Sequence, residues 1–520
     1  MKLNRLFLSL IGTAVLLSCS DDDTPTTEMG APLIESERIV SSSVQLNPTG
    51  YAPLTAMLSL ETTESVSVEI SVQGRNGNAS TVTKRFEGTG TTFNLEILGL
   101  YADYENQVEI KLLDETGNAL ETQTISILTA PLIAEMPQIT IDVPSSSSEP
   151  VFNFVNYFGF VDQQRFRPQR AFMFDQFGEI RWYLDFSSHP ILNNLFYDNG
   201  MTRLQNGNLL FGDGLTQSIY EIDLMGSIAN SWSLQGNGFH HHVIEKPNGN
   251  LLVTINDASK TTVEDVIVEI DRNSGQFTTT WDLNNSLDNT RRAWPTDLAD
   301  LDFDWFHANS IEYSSSDEEI IVSGRTQGIV KLNAQNEVSY ILAPHRDWNT
   351  SGNGTELSQF LLTPLDANDQ PIVDSDVLDG TTNHPDFEWS WYQHSPILMP
   401  NGNLMVFDNG DNRNYTNFGP YSRAVEYEID EVNKTIKQVW SYGKERGEET
   451  YARIVSKVSY VPENNSVLFT PGSAVNGGVA SGKVVEVDYQ TQNVVFEATI
   501  VPPNAVFNIS FHNVLRMELY

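Results

Sequence analysis

The chain has 520 residues, with 68 Asp+Glu against 30 Lys+Arg, a formal charge of −38 and one cysteine, a length that admits two or three domains or one large domain with an appendage. The acidity, with no basic stretch anywhere, excludes nucleic acid and anionic membrane surfaces as partners, and one cysteine excludes a disulfide framework. At 40% hydrophobic residues there is ample material for a packed core, so the charge belongs to the surface, and an anionic substrate needs a strong local cationic pocket.

Residues 1–18 carry a basic head (Lys2, Arg5) and an apolar run from Leu6 to Leu17, which reads as a secretory signal because it is too short for a membrane span. Leu16-Leu17-Ser18-Cys19 resembles a bacterial lipobox, in which the cysteine becomes the lipid-modified first residue; the plain alternative is an ordinary signal peptide with a chance Cys. Residues 19–33, acidic and then Thr/Pro-rich, read as a flexible tether. The expectation is an exported lipoprotein, anchored through Cys19 at the outer membrane and facing the periplasm or the cell surface, with no other membrane contact.

Residues 34–135 alternate apolar and polar positions in short runs, as in Ser65-Val66-Ser67-Val68-Glu69-Ile70 and Gln107-Val108-Glu109-Ile110, broken by turns such as Asn76-Gly77-Asn78. Period-two alternation predicts a small antiparallel β-sandwich. Pro137 to Pro150, with Ser145 to Ser148 at its heart, reads as a boundary.

From residue 150 to 520 the chain repeats itself. A Gly-Asn pair opens an apolar run at Gly207-Asn208, Gly249-Asn250 and Gly402-Asn403, and a second strand ends in an acidic turn at Tyr220-Glu221-Ile222-Asp223, Val268-Glu269-Ile270-Asp271, Tyr427-Glu428-Ile429-Asp430 and Val485-Glu486-Val487-Asp488. A third strand often ends on tryptophan, at Trp182, Trp232, Trp281 and Trp440, with Leu342 and Glu497 in comparable places and an insertion from about Ala343 to Trp391. A period near roughly 50 residues of three or four strands is the signature of a β-propeller, and six such ends predict six blades. Val506 to Tyr520 is expected to close the ring by pairing near Phe172 to Trp182. The fold class is therefore all-β, a six-bladed propeller preceded by a small sandwich.

Of nine histidines, His241 and His394 both stand six residues before the Pro of Pro-Asn-Gly-Asn (Pro247, Pro400), at the start of what should be the innermost strand. His307 fits a similar slot in the blade between them. One such His is more simply a hydrogen-bonded core residue; three at one repeat phase point to a shared axial cavity, because blade packing does not ask for imidazole. Arg325, 18 residues after His307, marks an oxyanion site in a chain with few cations, since guanidinium binds oxyanions through paired hydrogen bonds. Arg423 is a second such residue, with a structural ion pair at least as good an explanation.

Phe239-His240-His241-His242-Val243 before Pro-Asn-Gly-Asn, Asp304-Trp305-Phe306-His307-Ala308-Asn309-Ser310 leading to Arg325, and Gln393-His394 leading to Asp408-Asn409-Gly410-Asp411 resemble the bacterial arylsulfotransferases over roughly residues 150 to 520. The resemblance implies an extracytoplasmic aryl-sulfate sulfotransferase that takes aryl sulfate donors and phenolic acceptors, needs no cofactor, no metal and no adenylyl-sulfate donor, and works by ping-pong through a sulfated histidine. By position the sulfated residue is His394 and the supporting groups are His241, His307 and Arg325; separately, His240 and Arg423 are expected to bind substrate. His242 stands where the family has an acid, so which of His240, His241 and His242 reaches the site stays open, with the repeat phase favouring His241. Trp348 and Trp391 are expected mainly as packing residues. Two other readings remain: a metal-dependent propeller hydrolase or lactonase, since three histidines suit zinc, and a non-catalytic cell-surface binding propeller.

Overall fold

The computed structural model describes residues 34, 36–162, 165–166, 170–195, 200–292, 303–416, 419, 421–476, 479–503 and 508–520, so Cys19, the signal and the tether lie outside the described residues. Among these, no helix is long and apolar enough to cross a membrane.

The expected sandwich is present. Ala56–Val72 buries Ala56, Leu58 and Leu60 in its first half and Val66, Val68, Ile70 and Val72 in its second. The first half pairs with Ile39–Leu46 and Gly90–Ile97, the second with Val82–Arg85 and Glu105–Leu113, and the register breaks between Glu61 and Val66. One bent strand thus serves two faces, and alternation gives both an apolar inside.

Six antiparallel sheets follow, each with four main strands. Inner strands are Thr202–Arg203 in the second sheet, Gly238–Glu245 in the third, Ala308–Ser314 in the fourth, His394–Leu398 in the fifth and Lys457–Val461 in the sixth. From the third sheet to the sixth these strands lie against one another in succession, and the sixth lies against Asn508–Met517, the inner strand of the first. The Asn513 side chain then reaches the second sheet, donating to the Met201 carbonyl at 2.9 Å. This is the curled succession of a propeller.

Two recurring contacts explain the sequence repeat. Within a blade, the turn asparagines donate to a glutamate on the third strand: Asn206 and Asn208 to Glu221 at 2.7 and 2.8 Å, Asn250 to Glu269 at 2.7 Å, Asn401 and Asn403 to Glu426, two residues before the Glu428 of the acidic turn, at 2.9 and 2.7 Å. The fourth blade inverts the charges, with Lys331 in the glutamate's place bound by Asp317 and Glu431. Between blades, the terminal tryptophans donate their indole N–H to the next sheet's turn, Trp182 to Leu224, Trp232 to Arg272, Trp281 to Asn333 and Trp440 to Tyr489, at 2.7 to 2.9 Å. Leu342 offers no such donor. There the insertion crosses instead, and Thr363–Pro364 pairs in parallel with the outer strand Thr435–Tyr442 of the fifth sheet.

Three expectations are corrected. The Gly-Asn runs form the second strand of each blade, and the histidines lie on or just before the strand ahead of that turn, which is the innermost. The closing strand Asn508–Met517 joins the first blade through Phe152–Asp162 rather than through Phe172 to Trp182, because the latter pair already forms a hairpin of its own. The boundary segment contributes Gln138–Val143 as an outer strand of the sixth sheet, so the propeller begins before residue 150.

The sandwich is fixed to the first blade by a buried charge. Arg181 is fully buried, pairs with Asp175 at 3.0 Å, donates to the Gly99 and Ser80 carbonyls, and lies 3.6 Å from the Tyr101 ring centroid. Tyr520 adds a second clasp, its hydroxyl donating to Glu96 O at 3.0 Å and accepting from Leu98 N at 2.8 Å. Arg181→Met strands the Asp175 carboxylate and should cost about 3 kcal/mol or more. In calorimetry the main transition should fall by several degrees or split, with the sandwich melting apart; an unchanged thermogram would contradict this role.

Candidate functional site

The histidines stand where the inner strands lose their register. Pairing breaks between Phe239 and Val243, between Ala308 and Ser310, between His394 and Ile397, and between Phe511 and Val514. Such bulges unpair a residue and re-aim its side chain, here toward the axis. His241 and His307 sit at φ +52° and +57°, a left-handed conformation that costs an L residue about 1–2 kcal/mol. The fold supports it locally: the Thr254 hydroxyl donates to the His240 carbonyl and accepts from His242 N at 3.0 Å. At Gly200 any Cβ would stand 2.3 Å from the His241 carbonyl, so only glycine lets the neighbouring chain pass.

The result is a connected cluster of nearly buried side chains. His241 Nε2 and His307 Nε2 are 2.8 Å apart, and His307 Nδ1 meets Asp304 Oδ2 at 2.7 Å and also the Glu264 carboxylate. Glu264 reaches His240 Nε2 at 2.7 Å, and Arg325 approaches Asp304 at 3.7 Å while its backbone N–H donates to the His307 carbonyl. The His241 ring centroid lies 6.5 Å from that of His394 and 5.3 Å from that of His512.

His394 is held differently. Its Nδ1 lies 2.8 Å from Asn409 Oδ1 and 3.1 Å from the Tyr392 carbonyl. Asn409 has no choice of orientation, because its Nδ2 donates to Ala452 O at 2.8 Å and Val455 O at 2.9 Å. Both neighbours of Nδ1 are therefore acceptors, the ring proton sits on Nδ1, and Nε2 keeps its lone pair.

The electrostatics divide the imidazoles. Burial pushes His394 down to about 3 against the Asn409 bond, which favours its charge, and His512, Arg325 and His307 act in the same direction as burial. His307 is just as buried and Arg325 disfavours its charge, yet Glu264 and Asp304 overcome both and raise it above the usual histidine value. Glu264 is held well below the carboxylate range: burial opposes its charge, and His240 and His307 more than compensate. Burial raises Asp304 despite its bond to His307. With His307 protonated on both nitrogens, its Nε2–H donates to His241 Nε2, which leaves the His241 proton on Nδ1.

His240, His241, Glu264 and His307 place ligand atoms within 4.8 Å of one another, as a metal site would. Their separations of 2.7 and 2.8 Å are hydrogen-bond lengths, whereas two ligands of tetrahedral zinc stand roughly 3.3 Å apart. The other acidic group, Asp317, Glu319 and Glu431, surrounds the Lys331 ammonium.

The structure thus brings His394, His241, His307, Arg325 and His240 together. His242 turns away, its Nδ1 accepting from Ile311 N at 3.0 Å. Arg423 is drawn into another cluster: it is 1% exposed, pairs with Asp408 at 2.7 Å and donates to Gln438 and the Glu388 carbonyl, so the substrate-binding role gives way to the structural one. Trp348 is a packing residue over Arg291, 4.2 Å from its ring centroid, and Trp391 packs edge-on against Tyr415. Glu264, Asp304, Asn409 and His512 were not assigned roles from the sequence. Asp304 and Asn409 lie in the quoted motifs, and His512 stands on the closing strand, so those three were within reach; Glu264, in a loop of a different blade position, carried no signal.

The family models agree with a small N-terminal domain followed by one large domain. Residues 142–506 match the family model described as Arylsulfotransferase (ASST), and residues 43–130 match the Arylsulfotransferase Ig-like domain. The chain is 28% identical to arylsulfate sulfotransferase AssT of Escherichia coli O6:H1 (strain CFT073), covering 95% of this chain and 94% of that protein, and 28% identical to the AssT of Lelliottia amnigena with the same coverage. Among solved structures, a streptogramin B lyase covers 71% of this chain at 11% identity with a TM-score of 0.32. On the match across residues 142–506, the chain belongs to the arylsulfotransferase family.

Proposed function

We propose that the protein moves a sulfuryl group from an aryl sulfate to a phenolic acceptor by a ping-pong route through an N-sulfohistidine at His394. The observation that carries this reading is the pairing of a neutral imidazole, whose Nε2 lone pair is left open by the Asn409 lock, with a charged imidazole and a guanidinium on the same axis. Environments that push two like groups apart in pKa mark the nucleophile and the acid.

In the first half-reaction His394 Nε2 forms a bond to sulfur as the sulfur–aryl oxygen bond breaks, and covalent capture splits one hard transfer into two. Arg325 and the His307 imidazolium stabilise charge on the sulfuryl oxygens. The departing oxygen takes the His241 Nδ1 proton while His307 passes its own to His241 Nε2. The sulfated ring becomes cationic, and Asn409 Oδ1 and the Tyr392 carbonyl accept its Nδ1–H more strongly for that. The second half runs in reverse: the acceptor phenol loses its proton to His241, its oxygen bonds to sulfur, and the Nε2–sulfur bond breaks.

We further propose that the chain is an exported lipoprotein tethered through Cys19, supported by the lipobox-like Leu16-Leu17-Ser18-Cys19. Labelled palmitate should enter the wild type and not Cys19→Ser, which should be released from membranes; equal labelling would overturn the anchor.

Transfer from 4-nitrophenyl sulfate to phenol should fall by about 10³-fold or more in His394→Ala, with an acid-labile sulfated peptide recovered only from the wild type. Residual activity within tenfold of wild type would exclude a covalent role for His394. Transfer should also survive exhaustive chelation, which the hydrolase alternative does not allow.

For pH, the donor half-reaction needs His307 charged and His394 neutral. The kcat/KM for donor should be flat through the mildly acidic range, failing only toward pH 3 where His394 takes a proton, and should decline as pH rises through the elevated His307 pKa. An ascending limb centred at the ordinary histidine value of about 6.5 would overturn these assignments.

A further inference from the structure

Arg325 has two faces. One meets Asp304 in the histidine cluster, and the other lines a narrow cavity of about 30 Å³ that runs to Arg291, Ser390, Trp391, Asn412 and Tyr415. That volume takes one or two water-sized groups, the head of a substituent and not a second ring.

Its walls carry positive charge and unused donors. Arg291 is 3% exposed, and among the described residues its guanidinium meets only neutral acceptors: the Arg346 carbonyl at 3.0 Å, Gln327 Oε1 at 2.7 Å and the Pro344 carbonyl at 3.4 Å. Buried arginines in this chain otherwise find carboxylates, as Arg181 finds Asp175 and Arg423 finds Asp408. Burial lowers Arg291 to about 10, which still leaves it charged at neutral pH. Beside it, Trp391 Nε1–H, Asn412 Nδ2 and the Ser390 hydroxyl have no hydrogen-bond partner among the described residues, although all three residues are more than nine-tenths buried. Native interiors rarely leave polar groups so, and a cluster of them on one wall is best explained by a ligand that completes them. Indole and amide N–H groups only donate, so what completes them is an acceptor, and with a guanidinium alongside it is an anion.

We propose that this cavity is a specificity subsite for a carboxylate carried on the ring of the aromatic substrate, so that the enzyme prefers carboxylated phenols and their sulfates over neutral ones. The carboxylate head would enter the cavity between Arg325 and Arg291, while the ring and its sulfuryl or phenolic end stay outside it, on the side of Arg325 that meets the histidine cluster. The proposal rests on the aryl-sulfate reading of the axial site. It also meets the demand set by a chain of charge −38, that an anionic substrate find a strong cationic pocket.

Two measurements keep the subsite and the catalytic reading apart. Calorimetric titration of the donor-free enzyme should show 4-hydroxybenzoate binding about tenfold or more tighter than 4-methylphenol. The preference should shrink in Trp391→Phe, which keeps the ring and removes the donor, and be lost in Asn412→Asp, which places a repelling carboxylate in the wall while tolerating the left-handed backbone there (φ +52°). Arg291→Met should abolish it as well, and the two milder variants decide the matter if that protein does not fold. In transfer assays from 4-nitrophenyl sulfate the ratio of kcat/KM for the two acceptors should follow the binding ratio. Equal binding of both phenols by the wild type, or a ratio unmoved by Trp391→Phe and Asn412→Asp, overturns the subsite. Preferential binding without any sulfuryl transfer leaves the subsite standing and removes the catalytic reading.

Discussion

Keeping one imidazole uncharged beside another that is charged is the constraint on which this structure turns. Two things keep His394 uncharged: it is withdrawn from water, and its nearest charged neighbours are cations. His307, equally withdrawn, is charged because two carboxylates share its Nδ1. The difference between the neutral and the charged imidazole is therefore made by which side chain faces Nδ1, an amide oxygen in one case and carboxylates in the other. Long-range charge has little say, since surface carboxylates are screened within about 10 Å at ordinary ionic strength.

The propeller supplies the means. Its inner strands converge on an axis, and a bulge in each turns side chains inward without disturbing the second strand, which keeps its pairing on the far side. The backbone strain at His241 and His307 is tolerable because the outer parts of the blades are rigidly specified. Turn asparagines bind Glu221, Glu269 and Glu426 on the third strands, and indoles bind one blade to the next, so that the outer strands are held while the inner ones carry the bulges. Separation of the two tasks along each strand lets the site depart from regular geometry while the ring does not.

Much of this was legible in the sequence because repeated contacts leave repeated residues. Asn208, Asn250 and Asn403 recur with Glu221, Glu269 and Glu426 because each pair is one hydrogen bond, and the tryptophans recur because each closes an interface. The shared phase of His241 and His394 was likewise visible, since phase fixes height along the axis. What stayed hidden depends on loops and on closure. Glu264 reaches His240 and His307 from a loop with a left-handed backbone at φ +60°, outside any repeat, and His512 enters on a strand whose partner lies more than three hundred residues earlier. Arg423 misled for a simple reason: a guanidinium in a strand looks the same in sequence whether it faces an anionic ligand or, as here, a buried Asp408.

The contrast between Arg423 and the axial arginine also says what kind of charge a binding site needs. Arg423 is saturated by Asp408, Gln438 and a carbonyl, and a group so completed has nothing left for a ligand. Arg325 meets its carboxylate at only 3.7 Å, and that carboxylate, Asp304, is itself biased toward protonation by burial. Against Asp304, the Arg325 guanidinium is neutralised less than Arg423 is against Asp408, which stands at 2.7 Å. On the proposed reading, a carboxylate placed so is the condition under which a strongly negative protein draws an oxyanion to its axis.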